Sequence, residues 1–180
     1  PTNINISSGI LDLANQKALP FMMKYLNSSN YSSFVYCPGG PPELDYIRHS
    51  TFDINDGRQS FGILNSLCFI QEGMNGDDMY IDNIKYRAES QCKGMLGLLE
   101  FIFLNKEEIK TTVNKAREQS ILPGKGIKVA IQTDHSGNGE KLELPLFSYK
   151  TGKDTMVVVN DFRPLVKSIY EVEKPEGYLI

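Results

Sequence analysis

The sequence has little of what holds small or unusual chains together. Its three cysteines, Cys37, Cys68 and Cys92, are an odd number without CxxC or Cys/His spacing, which argues against a disulfide scaffold and against a structural zinc site. Cys68 and Cys92 stand in apolar surroundings and read as small core fillers. No apolar stretch approaches the ~20 residues that span a bilayer, and no charged segment followed by an apolar one opens the chain. A removed leader leaves no trace, so export stays open. The 19 basic and 22 acidic residues are spread along the chain for a net charge of −3, with no Lys/Arg run. Nothing here tracks phosphates, and nucleic acid is not an expected partner.

What is present is the composition of a globular chain. With 41% hydrophobic and 23% charged residues, and nine each of Tyr and Phe, it lies far from the disordered corner. Its 180 residues suit one good core, or one moderate domain with a small appendage, because domains cluster near ~100–150 residues.

The periodicities divide the chain. From Ser8 to Leu26, Ile10, Leu11, Ala14, Ala18, Phe21, Met22 and Tyr25 recur at helical steps, with Ser7 or Ser8 as N-cap and Pro20 as a possible kink. Asn27 to Asn30 is a polar stop, and Tyr31 to Cys37 alternates as a strand does. The Pro/Gly run from Cys37 to Pro42 opens a surface loop that reaches Gly57. Phe61 to Gln71 is nearly all apolar or small and predicts a strand buried on both faces. It ends on a carboxylate, Glu72, followed by a Gly/Asn/Asp loop, which is where open α/β sheets place their ligands. Asp82 to Asn105 carries Tyr86, Met95, Leu98, Leu99 and Ile102 on one helical face, and the helix is expected to continue through Lys106 to Arg117.

Beyond Pro123 the texture changes to short β-like runs, Ile127 to Gln132, Lys141 to Tyr149 and Thr155 to Val159. The expected architecture is α/β: a mixed sheet flanked by helices over 1–122, then a small β-rich unit over 123–180. Asp134, Asn138 and Glu140 lie close in sequence but match no full calcium-loop pattern, so the string from Asp134 to Glu140 reads as a hairpin turn.

The order helix, strand, proline-glycine loop, Arg48-His49-Ser50-Thr51, Asp56-Gly57-Arg58-Gln59-Ser60-Phe61-Gly62, apolar run, Glu72, long helix resembles the C-terminal half of zinc carboxypeptidases of the M14 type, above all bacterial members with an appended β unit. The likeness covers roughly residues 1–120, and Gly62 to Glu72 is its specific part. It implies the second half of a carboxypeptidase-like fold, a peptide or amino-acid-capped substrate, export to the periplasm or exterior, and Glu72 as general base. A positioned carboxylate takes the proton of the attacking water and returns it to the leaving amine.

The family's zinc would need a His/Glu pair and a later His. The two histidines, His49 and His135, stand in no HxxE spacing, so the resemblance implies zinc ligands in a preceding half and a fragment inactive alone. Arg48 and Arg58 flank the loop, and a guanidinium suits a bidentate grip on a peptide carboxylate; the alternative is an ion pair with Asp45, Asp53 or Asp56. His49 and Tyr46 are candidate substrate contacts. The rival functional reading is a non-catalytic peptide- or carbohydrate-binding module of the same descent.

Overall fold

The computed structural model describes residues 2–36, 46–47, 51–73, 84–122, 124, 126–148, 151–161 and 165–175. Helices occur together with a mixed and an antiparallel sheet, an α/β content. The chain divides into two compact units, Pro1–Val35 with Phe52–Lys125 and Pro175–Ile180, and Tyr36–Thr51 with Gly126–Lys174.

In the first unit, α1 (Ser8–Asp12), a π-helical turn (Leu13–Ala18) and α2 (Leu19–Ser28) form one continuous helical stretch. The Leu19 N–H donates to Ala14 O, a five-residue step, just before Pro20, which brings no N–H of its own and crowds the preceding turn; widening that turn is how a helix accommodates it. The helix stops through its asparagine. Asn30 takes φ +64°, Tyr31 N donates to Leu26 O at 3.0 Å and Asn30 N to Asn27 O at 3.1 Å, the paired bonds of a Schellman motif. Residues 31–36 then form no strand, which corrects the expectation for Tyr31 to Cys37; Cys37 lies outside the described residues.

A larger correction falls on Phe61 to Gln71. Its first residues complete α3 (Gly57–Ile63), N-capped by Asp56, whose Oδ1 accepts from Arg58 N. Asn65 ends α3 with φ +58°; Ser66 N donates to Phe61 O at 3.0 Å and Asn65 N to Gly62 O at 2.9 Å, a second Schellman motif. From Ser66 to Gly73 the chain forms neither helix nor strand and has no ladder partners among the described residues. Phe61, Leu64 and Ile70 are half or more exposed, at 56%, 66% and 50%, so no two-faced inner strand exists here. The local capping signals override the apolar run.

α4 (Ile84–Leu104) and α5 (Lys106–Ile121) replace the single long helix. The break is at Asn105, with φ −115°, whose Nδ2 donates back to Phe101 O at 2.8 Å. α4 turns Gly94, Gly97 and Phe101 inward, not the expected face: Met95, Leu99 and Ile102 are 56%, 61% and 40% exposed. The two glycines let neighbours approach. Tyr25 lies 3.1 Å from where a Gly97 Cβ would stand, and Phe101 meets Phe21 with ring centroids 5.6 Å apart. The core gathers Leu13, Ala18 and Phe101 in one cluster and Ile6, Ile10 and Ala116 in another, and Leu67 packs against both.

The second unit contains β1 (Tyr46–Ile47), β2 (Lys128–Ser136), β3 (Lys141–Ser148), β4 (Lys153–Asp161) and β5 (Leu165–Glu173). β4 is central to a mixed sheet, parallel to β1 and antiparallel to β3, with Ile47, Leu144 and Val159 as its buried core. β2 pairs with β5 from Lys128↔Glu173 to Ser136↔Leu165. Two sequence expectations change. Residues 36–51 fall in the β unit although they precede the expected boundary. Asp134 to Glu140 is no hairpin, because β2 and β3 belong to different sheets; Asn138 Oδ1 accepts from Glu140 N and Gly139 takes φ +86° to turn the connection. The mixed sheet is thus built from the β unit and not from Phe61 to Gln71.

Candidate functional site

The strap Ser66–Gly73 positions Glu72. Leu67 and Phe69 pack against the helical core, while Ile70 and Glu72 are exposed. Between the exposed pair, Gln71 turns inward and donates from Nε2 to Ser90 O at 3.3 Å and to Gln91 O at 3.2 Å on α4. Its amide fills the space left by the missing side chain of Gly94. On the other side, Gly73 runs so close to α4 that a Cβ there would stand 2.8 Å from Gln91 Nε2. Glu72 therefore sits between two fixed neighbours with its own side chain exposed, and its carboxylate has no hydrogen bond or ion pair among the described residues. A free, solvent-facing carboxylate on an anchored backbone can exchange protons with a bound water.

The other candidate residues are distributed. Arg58 opens α3 and is taken by Asp56: its Nε and Nη2 reach Oδ1 and Oδ2 at 3.0 and 2.8 Å, a bidentate pair with side chains 15% and 19% exposed. That hydrogen bond, ahead of the opposing effect of burial, holds the Asp56 carboxyl below the usual aspartate range. Tyr46 is half-buried on β1 opposite Asn160, in the second unit, whereas Arg58 and Glu72 belong to the first. Arg48 and His49 lie outside the described residues. His135 is buried on β2 opposite Val166, with its backbone N–H donating to Asp134 Oδ1.

The sequence reading passed over Arg87. It stands four residues before Gln91 and three before Ser90, on the α4 face that receives the strap. Its Nη1 is buried and has no hydrogen-bond partner among the described residues, a condition costing roughly 1–3 kcal/mol until an acceptor arrives. The signal available beforehand was this spacing to Gln91 alone, which acquires meaning only once the strap is in place.

No three His, Cys, Asp or Glu side chains converge to hold a metal among the described residues, so those residues do not fit the zinc centre implied by the resemblance. No helix among them is long and apolar enough to cross a membrane. A groove of about 630 Å³ lies between the start of α1 and α5, lined by Asp12, Glu107, Glu108 and Lys115, and includes none of the candidate residues. Comparison with protein-family models, with curated proteins and with solved structures finds no match.

Proposed function

We propose that this chain contributes the general-base carboxylate, Glu72, to a carboxypeptidase-type metallopeptidase that acts on peptides or amino-acid-capped substrates. The observation that carries the reading is the exposed, unpaired Glu72 side chain on a strap pinned through Gln71 to Ser90 and Gln91. Pinning fixes the backbone that carries the base, and exposure leaves the carboxylate open to a substrate surface. In this role Glu72 accepts a proton from the attacking water and delivers it to the departing amine. Export is the proposed location.

The zinc this chemistry uses would be held, as the resemblance implies, by residues in the remainder of the catalytic domain; the described residues of this chain do not fit it. When bound it lowers the pKa of its water. The test is an assay of the complete protein carrying this sequence, using a peptide with a free C-terminus and the same peptide amidated. Release of the last residue from the free form alone is the expected result. Tight binding of both peptides without hydrolysis would instead establish the rival binding module.

A further inference from the structure

The connection between β2 and β3 turns on an Asn-Gly pair, Asn138 and Gly139. A backbone N–H that follows an asparagine can attack that asparagine's carboxamide, and glycine, without a Cβ, offers the least hindered nitrogen. Asn138 is exposed, and its Oδ1 accepts from Glu140 N at 3.0 Å, an Asx turn. The ring closed by that bond contains the Gly139 amide, so the carboxamide is held against the peptide link it would react with. The same bond draws electron density from the side-chain carbonyl and makes Cγ more electrophilic. Gly139 N–H, the attacking group, and Asn138 Nδ2, the leaving group, have no hydrogen bond among the described residues. Gly139 stands at φ +86°, with nothing within 4 Å of where its Cβ would be. Asn65 and Asn27, each followed by serine, lack this combination: Ser66 N donates to Phe61 O at 3.0 Å, and Ser28 lies inside α2.

We infer that Asn138 is a site of spontaneous covalent modification, converting through a succinimide to aspartate and isoaspartate. Gly139 N gives up its proton and bonds to Asn138 Cγ; the Cγ–Nδ2 bond breaks, and Nδ2 leaves as ammonia with that proton. Water then opens the ring. Attack at Cγ leaves aspartate, and attack at the Asn138 main-chain carbonyl carbon leaves isoaspartate, whose main chain runs through Cβ. One water is consumed and one ammonia released, with no oxidant, cofactor or enzyme. Either product adds one negative charge to a chain at −3. Isoaspartate also lengthens the main chain by one carbon, in a connection between two different sheets, so no ladder pair has to break to admit it.

The experiment stores the folded protein carrying this sequence at mildly alkaline pH, which supplies the deprotonated nitrogen, and follows its proteolytic peptides by mass spectrometry. The same protein in concentrated urea is the reference. The peptide containing Asn138 should gain roughly one mass unit and yield isoaspartate along with aspartate, faster at higher pH. Folding should slow conversion of Asn27 and Asn65 severalfold relative to urea and leave Asn138 reactive. Asn75–Gly76, the chain's other Asn-Gly pair, lies outside the described residues and is read on its own peptide. Asn138→Ser, whose hydroxyl keeps the turn bond more weakly, should abolish the change at this position with strand content by circular dichroism unchanged. An Asn138 that folding protects as strongly as Asn65 overturns the inference, as does aspartate formed there without isoaspartate.

Discussion

Gln71 occupies the volume that a side chain at Gly94 would fill. Its amide reaches over the bare turn of α4 to the carbonyls of Ser90 and Gln91, and through that contact the helix fixes the backbone next to Glu72.

Two glycine substitutions separate anchoring from packing. Alanine gains roughly 1 kcal/mol over glycine in a helix interior. At Gly94 the obstacle is the mobile end of Gln71, so Gly94→Ala displaces that side chain at the cost of its two hydrogen bonds, roughly 0.5–1.5 kcal/mol each. Stability by urea titration stays within about 1 kcal/mol of the parent, while amide exchange across residues 66–73 accelerates. At Gly97 the obstacle includes Cβ and Cγ of Tyr25 at 3.1–3.2 Å, which yield only if α2 shifts. Gly97→Ala is expected to cost about 1–3 kcal/mol without selective loosening of the strap. The reverse ranking contradicts the anchoring role.

The Asp56 cap has a pH signature. Its carboxyl is held low chiefly by the hydrogen bond from Arg58, so the native state favours the ionised form and the unfolded chain binds the proton more readily. Its contribution is complete above the ordinary aspartate value of 3.8 and is lost as pH falls through the lower native value. Asp56→Ala should cost about 0.5–2 kcal/mol near neutrality, and the difference between the two proteins should shrink as pH falls below the ordinary value. A constant difference down to the acid transition contradicts the assignment.

Phe101 and Leu104 are three residues apart on α4 and should respond in opposite ways. Phe101 is 2% exposed against Phe21, Leu13 and Ala18, whereas Leu104 is 61% exposed. Phe101→Ala is expected to destabilise by ~3–5 kcal/mol, and Leu104→Ala to stay within about 0.5 kcal/mol. Equal effects in a denaturant titration would mean that another face of α4 is turned inward.

A metal measurement follows from the ligand inventory. No triad of metal-binding side chains converges among the described residues, and the proposed peptidase keeps its ligands outside this chain. After dialysis against micromolar zinc, elemental analysis of the 180-residue chain should find far less than one equivalent. A full equivalent reveals a site in this chain and removes the need for outside ligands.

The helices were legible where local rules agree. The apolar spacing from Ser8 to Leu26 and the polar stop at Asn27 to Asn30 led to the first helical stretch, since the stop residues themselves supply the left-handed cap at Asn30. Strands β2 to β5 all follow Leu122, where the texture changes. Phe61 to Gln71 has the apolar content of a buried strand, but the two cap residues Asp56 and Asn65 decide its local structure. On α4, both faces are apolar, so periodicity alone does not choose between them; the glycines at 94 and 97 do. The pairing of Tyr46 and Ile47 with Asn160 and Asp161 joins segments more than a hundred residues apart and leaves no local mark. Glu72 reads from the sequence as a strand-end carboxylate, and it stands instead on the strap, with its side chain exposed.

The most direct test of the peptidase proposal is the turnover of Glu72→Gln in the complete protein. The amide preserves shape, and because the side chain makes no contact among the described residues that folding depends on, stability and zinc content should match the parent. Glutamine cannot accept the proton of the attacking water, and loss of a positioned general base costs ~10²–10⁴ in rate. The loss belongs to the chemical step, so kcat should fall by that factor with KM little changed. A variant that folds, retains its zinc and turns over at the parent's rate contradicts the account.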